Sequence, residues 1–333
     1  MELSKERRSL EEVFISTFHE KVNFDDFVNF SINKEYKTFE VNRRKIYAPS
    51  KKLKQFQRFI NSSILEYADY NRDVVYSYRK GVSIRDAVEK HASSNFFYQT
   101  DISDFFGSIT GDDIMKVINT SLLNVPVSDV LEYKQLLFEL MVVDNNLPAG
   151  FATSPLLSNI TLVDFDNALK KYCDRSNIIY TRYSDDLIIS SVNEGFVDNI
   201  NEVIKSFLHE HMGERFNLNY NKTKVRRKGQ KVKILGFTIL PNGIITISKS
   251  YKEEVESLLY FYLNDTDKFS DYVKNKINPR DNQIGDRTFE EFGISSLSGK
   301  LIAISSMDSL YISKLRKKYG NTIIEMFLRK TVN

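Results

Sequence analysis

A single cysteine, Cys173, leaves the chain without a disulfide framework or a cysteine-based zinc site. A lone cysteine is more often a small core residue than a nucleophile. Tryptophan is absent, and proline (6) and glycine (13) are few across 333 residues, so no long flexible linker is expected. No internal repeat or low-complexity segment stands out. No run approaches the roughly 18 consecutive apolar residues of a membrane span. The first residues, MELSKERRSL, are charged and lack the apolar stretch of a secretion signal, so a cytoplasmic protein is expected. A large excess of one sign of charge is lacking too, with 47 Lys and Arg against 44 Asp and Glu. The formal net charge is +3, and the whole-chain balance says little about partners.

What is present is local. Seven basic and no acidic residues lie in 43–58: Arg43, Arg44, Lys45, Lys51, Lys52, Lys54 and Arg58. Seven more lie in 222–233: Lys222, Lys224, Arg226, Arg227, Lys228, Lys231 and Lys233. Such blocks suit phosphate binding, although a solvated face is the blander explanation. Hydrophobic content of 41% and charged content of 27% are those of a globular protein with ample core material.

Periodicity predicts helix over 5–30, where Leu10, Val13, Phe14, Phe18 and Val22 recur at helical spacing. Short strands are expected at 38–41 and 45–47. Pro49 and Ser50 then open a helix through about 67, with Leu53, Phe56, Phe59, Ile60 and Ile64 as its apolar stripe. A buried strand is expected at 96–102, helices at 112–120 and 127–142, and a loop at 147–154. Ser154 and Pro155 start a helix through about 172, proline suiting a first turn. Strands at 178–183 and 187–191 form a tight hairpin around Ser184, Asp185 and Asp186. A helix covers about 196–210. Strands at 232–239 and 244–247 are joined by Pro241-Asn242-Gly243, and the chain from 249 onward is mainly helical and moderately basic. The order describes an α+β fold, an antiparallel sheet backed by helices.

The chemistry sits on acidic residues at strand ends. Asp185-Asp186 lies between two apolar strands, and Asp101 ends a third. Adjacent carboxylates repel, and the pair is costly unless cations neutralise it. Any single Asp-Asp pair is more simply a solvated turn. Transfer of a nucleotidyl group, however, calls for hard cations held by oxygen ligands.

Six segments in order resemble reverse transcriptases, specifically the bacterial retron-type group, over about 37–240. Arg44-Lys45-Ile46-Tyr47-Ala48-Pro49, with Leu53, Gln57 and Arg58, resembles the fingers motif. Asp101-Ile102-Ser103-Asp104-Phe105-Phe106 resembles motif A. Residues 147–155 (LPAGFATSP), with Leu157-Ser158-Asn159, resemble motif B. Tyr183-Ser184-Asp185-Asp186 matches the YxDD box, Leu218-Asn219 with Lys222-Thr223 resembles motif D, and Ile234-Leu235-Gly236-Phe237 resembles motif E, the primer grip. The resemblance implies a right-hand polymerase: an N-terminal extension and fingers at 1–95, a palm at 96–248 with a fingers insertion at about 111–146, and a helical thumb at 249–333. Ser298-Gly299-Lys300-Leu301 and Leu315-Arg316-Lys317-Lys318 resemble the thumb ending of this group.

The same resemblance implies roles. Asp101, Asp185 and Asp186, with the Ile102 carbonyl, would hold two Mg²⁺ ions, with Mn²⁺ a substitute. Arg44 would meet the triphosphate. Lys222 would protonate the leaving pyrophosphate, a plain surface lysine being the alternative. Gly150, Ser154 and Pro155 would shape the nucleotide pocket. Phe106 would stand where a ribose 2′-hydroxyl would go, a sugar gate rather than simple core packing. Arg58, Arg226, Arg227, Lys228, Gly236 and Lys317 would touch nucleic acid. Partners would be an RNA template, dNTPs and the DNA product, with room for a structured non-coding RNA, an effector protein and an oligomer, and no membrane.

Three departures stand out. Ala149 replaces the glutamine common before the motif B glycine. Ala87-Val88 replace the Asn-Ala of an upstream retron element, although His91 keeps its spacing. Ile234-Leu235-Gly236 stands near the place of the Val-Thr-Gly segment. They leave open a related defence-associated or abortive-infection enzyme. The expected function is an RNA-directed DNA polymerase copying a dedicated non-coding RNA in antiviral defence. Alternatives are template-independent or protein-primed DNA synthesis and, of another class, a non-catalytic RNA-binding scaffold.

Overall fold

In the computed structural model the described residues are 7–41, 44–279 and 281–329. The chain divides into two compact units, 1–225 and 226–333.

The first unit begins with helices α1 (Leu10–Phe18) and α2 (Phe24–Val28). Ser9 and Glu12 form a capping box at the start of α1. The single helix expected over this stretch is broken at His19 and Glu20, both at positive φ. The break lets Phe14 and Phe27 close together on Phe56 and Phe59, with ring centroids 5.1–6.3 Å apart. That closure is tertiary, and no glycine or proline marks it. Strands β1 (Tyr36–Val41) and β2 (Arg44–Pro49) form an antiparallel ribbon. Ser50 then caps α3 (Lys51–Ser63), which buries Leu53, Phe56, Phe59 and Ile60 on one face. Short α4 (Ile84–Lys90) leads to β3 (Phe96–Asp101).

Next come α5 (Phe105–Ser108), α6 (Gly111–Thr120) and α7 (Lys134–Met141). The helix expected from 127 starts seven residues late. Pro126 and Ser128 spend their backbone groups on Arg8, so that stretch cannot coil. Helices α8 (Ser154–Thr161) and α9 (Val163–Arg175) replace one expected helix, broken at Leu162. β4 (Ile179–Tyr183) and β5 (Asp186–Ser191) make the expected hairpin, followed by α10 (Ile200–Met212) and β6 (Lys224–Arg227). The sheet order is β4-β5-β3-β6, with β3–β5 and β4–β5 antiparallel. Nearly every residue of β5 is buried, as befits a strand covered on both faces. The core joins the sheet to α1–α3 and α6–α10.

The second unit carries β7 (Val232–Ile234), β8 (Phe237–Ile239) and β9 (Ile245–Ile247), an antiparallel three-stranded sheet. The single strand expected over 232–239 is instead a hairpin. Leu235 and Gly236 both take positive φ (48° and 87°), and Ile234 pairs with Phe237. A leucine at positive φ is uncommon, so the turn is not legible from residue type. Helices α11 (Lys249–Asn264), α12 (Thr266–Tyr272), α13 (Asp281–Ile284), α14 (Phe289–Met307), α15 (Ser309–Tyr319) and α16 (Asn321–Arg329) follow. They pack around Val255, Leu258, Leu259, Phe269, Leu297, Leu301 and Phe327. Among the described residues no helix is long and apolar enough to cross a membrane. The architecture is therefore α+β, with antiparallel sheets and helices packed on them.

Candidate active site

The register of the first-unit sheet decides which carboxylates meet. β3 and β5 pair so that Asp101 stands opposite Asp186, and β4–β5 pairing puts Tyr183 opposite the same residue. Ser184 and Asp185 form the two-residue turn, Ser184 at φ 59°. The Ile102 N–H donates to the Asp185 carbonyl at 3.0 Å, tying the turn to the end of β3. Like charges directly opposite on neighbouring strands repel. The Asp186 carboxyl is accordingly pushed up to about 6, first by partial desolvation, then by Asp185 and Asp101. Its side chain is exposed, so solvent screens part of that repulsion.

Asp101 is 3% exposed. The segment 217–219 runs alongside it. The Asn219 N–H donates to the Asp101 carbonyl at 2.8 Å, and the Ser103 N–H donates to the Asn217 carbonyl at 2.8 Å. This delivers the Lys222 Nζ to Asp101 Oδ2 at 2.9 Å, with Asn219 Nδ2 at 3.4 Å from the same oxygen. Asp101 Oδ1 is buried with no hydrogen-bond partner.

Among the described residues no three His, Cys, Asp or Glu side chains are grouped to hold an ion by themselves. The donor set nevertheless suits a hard divalent cation. It is all oxygen, it carries an orphaned buried oxygen, and its like charges are relieved by a cation. Mg²⁺ is commonly held by one or two carboxylates, with substrate phosphates completing its shell, rather than by an all-protein cage.

Residues 32–239 match the family model described as reverse transcriptase (RNA-dependent DNA polymerase). The chain belongs to the reverse transcriptase family. It is 25% identical over 312 residues to the retron Ec83 reverse transcriptase of Escherichia coli, covering 91% of this chain and 93% of that one. It is 26% identical over 293 residues to the retron Ec86 reverse transcriptase of Escherichia coli (86% and 81%). It is 25% identical over 244 residues to the retron Mx65 reverse transcriptase of Myxococcus xanthus (68% and 56%). Among solved structures, a telomerase from Candida albicans aligns at TM-score 0.48 and 13% identity, over 92% of this chain and 59% of that one. This is a reverse transcriptase of the bacterial retron type, an RNA-directed DNA polymerase, and its α+β architecture is the class expected.

The other expected site residues of this reverse transcriptase fall into groups. Gly150 sits at φ 112°, and a Cβ there would lie 2.2 Å from the Tyr47 carbonyl oxygen. The Tyr47 N–H donates to the Ala149 carbonyl at 2.8 Å. The 147–154 loop is thus sewn to β2, whose first residue, Arg44, is exposed. Gln57, fully buried, completes the seam by accepting from the Ala152 N–H at 3.0 Å and donating to the Leu140 carbonyl at 3.1 Å. The Ser154 hydroxyl donates to the Pro148 carbonyl at 2.7 Å, so it shapes the loop from within. Pro155 takes the first turn of α8. Phe106 lies in α5, half-buried, its ring 5.4 Å from that of Phe105. Arg58 is exposed on α3 beside Lys51 and Lys54. Arg43 lies outside the described residues.

Arg226, Lys228, Gly236 and Lys317 belong to the second unit, as does Arg227. Gly236 sits in the β7–β8 turn with open space around it. On α15, Arg316 pairs with Glu325 at 2.7 Å and Lys318 with Glu256, while Lys317 is exposed. The α15 stripe is therefore partly neutralised within its own unit. Cys173 is buried, its thiol pushed up to about 12 by desolvation and then by Asp174, which makes it inert. His91 is a buried strut, donating or accepting at Ser190 Oγ (2.6 Å) and Thr181 Oγ1 (2.8 Å). Burial pushes it down to about 3, so it stays neutral.

Sequence reasoning missed Arg182, Asp166 and Ser77, which lie behind the turn. The available signal was a charge, Arg182, inside an otherwise buried strand.

Proposed function

We propose that this reverse transcriptase copies a dedicated structured RNA into DNA by two-metal nucleotidyl transfer, in bacterial antiviral defence. The observation that carries the chemistry is the register that sets Asp101 opposite Asp186, with the orphaned Asp101 Oδ1 beside them. The choice of RNA and the defence role rest on the resemblance of its six motif segments to the retron-type group.

Asp101, Asp185 and Asp186, with the Ile102 carbonyl, would hold the cations. Bound Mg²⁺ would lower the barrier by activating a 3′-hydroxyl and neutralising phosphate charge. Lys222 guards Asp101 Oδ2 at rest and is the proton donor to the leaving pyrophosphate. Arg44 grips the triphosphate from β2. Gly150, Ser154 and Pro155 fix the loop under it, and Phe106 excludes a 2′-hydroxyl. Arg58, Arg226, Arg227, Lys228, Gly236 and Lys317 contact template or primer. In this reading 1–95 are the N-terminal extension and fingers, 96–248 the palm with its insertion at about 111–146, and 249–333 the thumb.

The test is single-nucleotide extension of a DNA primer on an RNA template by purified Asp185→Asn and Asp186→Asn. Both lose incorporation while keeping their fold. Retention of even about a tenth of wild-type incorporation by the double variant would sink the assignment of the carboxylates. Sequencing of copurifying nucleic acid identifies the template, and untemplated product in its place would favour template-independent synthesis.

A further inference from the structure

Every polar group of Ser184 is held from outside the β4–β5 hairpin or from beneath it. Its carbonyl accepts from Arg182 Nη1 at 3.1 Å. Its N–H donates to Ser77 Oγ at 2.9 Å, and its hydroxyl lies 3.0 Å from the Tyr78 hydroxyl. Arg182 is fully buried beneath the turn. Its Nε and Nη2 grip the Asp166 carboxylate at 2.9 and 2.6 Å, and Tyr180 donates to the same carboxylate at 2.8 Å. Asn159 Oδ1 accepts from Arg182 Nη1 at 3.2 Å and from Ser77 Oγ at 3.3 Å, closing the cluster. The Arg182 N–H donates to the Val74 carbonyl at 2.7 Å, and the Tyr76 N–H donates back to the Arg182 carbonyl at 3.0 Å. Residues 74–76 thus run beside β4 and deliver Ser77 and Tyr78 to the turn. The break at Leu162 brings Asn159 of α8 and Asp166 of α9 onto one guanidinium.

Such a cluster is not what stability alone would select. A buried ion pair commonly does no better than apolar residues of the same volume. What a guanidinium supplies is direction: several donors in a rigid plane. The turn needs that. Ser184 is a non-glycine residue at φ 59°, and the two residues after it are carboxylates, Asp186 being repelled by both Asp185 and Asp101.

We propose that Arg182, acting through Asp166, Asn159 and Ser77, is a positioning residue that clamps the Ser184–Asp185 turn so that Asp185 and Asp186 converge with Asp101 on a divalent cation. The proposal rests on the metal-binding role given above to the three carboxylates. It assigns to the turn a preorganisation that the YxDD residues do not have by themselves.

The test is Mn²⁺ binding to the full chain without nucleotide or nucleic acid, read by the electron paramagnetic resonance of free Mn²⁺. It is paired with the Mg²⁺ dependence of incorporation and with thermal unfolding. Ser77→Ala deletes one small acceptor under the turn, Ser77→Thr keeps it, and Arg182→Lys keeps charge but loses the planar fork. We expect Ser77→Ala and Arg182→Lys to bind Mn²⁺ at least about tenfold more weakly, with the half-saturating Mg²⁺ rising in parallel. KM for dNTP at saturating Mg²⁺ should stay near wild type, and Ser77→Thr should bind as wild type does. Should Arg182→Lys fail to fold, the Ser77 pair decides alone. If Asp186→Asn loses Mn²⁺ while Ser77→Ala binds normally, the clamp is only core packing. If Asp186→Asn binds Mn²⁺ as wild type does, the metal role of the carboxylates fails first.

Discussion

Gly150→Ala tests how the 147–154 loop is held against β2. The new Cβ would lie 2.2 Å from the Tyr47 carbonyl oxygen and 3.2 Å from Ile46 Cγ2. The nearest obstacle is backbone, so no rotamer change relieves it. Alanine at φ 112° also carries strain, of the order of 1–2 kcal/mol. Separating the loop from β2 breaks the Tyr47–Ala149 hydrogen bond, worth about 1 kcal/mol net. The total is roughly 2–4 kcal/mol once some uncovering of Tyr47 and Phe151 is included. For a unit of this size that lowers Tm by on the order of 10 °C. Gly81→Ala is the control, because Gly81 has a similar positive φ (73°) with nothing within 4 Å. Thermal unfolding by circular dichroism reads both variants, and KM for dNTP should rise in Gly150→Ala because Arg44 shifts with β2. If Gly150→Ala loses no more stability than Gly81→Ala, the close approach of loop and strand does not matter and the reasoning is refuted.

Three further outcomes are expected. Asp186→Asn should leave the metal-free protein as stable as wild type or slightly more so at pH 7–8, with the difference vanishing near pH 4. The folded carboxyl titrates at about 6 against an ordinary value of 3.8, so its favourable contribution is full below the lower value and gone above the upper; a stability gap that grows on acidification would contradict this. Phe106→Val should raise the rNTP/dNTP incorporation ratio at least about tenfold, equivalent to ~1.4 kcal/mol, in single-nucleotide extension; an unchanged ratio makes Phe106 core packing. Replacing Arg226, Arg227 and Lys228 with Ser should flatten the dependence of log affinity on log salt by about 0.9 for each phosphate that is no longer neutralised, and an unchanged slope identifies the run as a solvated face.

Much of the fold was legible because local rules and tertiary context agree. Ser50 before an amphipathic stripe, Pro155 in a first turn and apolar strands flanking Ser184-Asp185 each describe their own surroundings. The misses are places where distant chain decides. The α1–α2 break serves an aromatic cluster formed with α3, and the late start of α7 reflects pairing with Arg8. The β7–β8 turn places a leucine in left-handed backbone, which residue type disfavours.

For the candidate site, the sequence by itself determined the inventory: three aspartates at strand ends, a lysine downstream, and the order of segments that places the chain among reverse transcriptases. Residue types and their spacing carry that information directly. Only the tertiary structure decided that Asp101 faces Asp186, that Asp101 Oδ1 is left without a partner, that Lys222 rests on Oδ2, and that a buried arginine clamps the turn. Strand register and the hydrogen bonds of Ser77 and Lys222 join residues some eighty to a hundred and twenty positions apart, and the clamp gathers Asn159, Asp166, Arg182 and Ser184 from two helices and the β4–β5 hairpin. No local pattern encodes such pairings; packing selects them, because a one-residue slip of β3 against β5 would exchange the side chains between the two covered faces of the sheet and part Asp101 from Asp186.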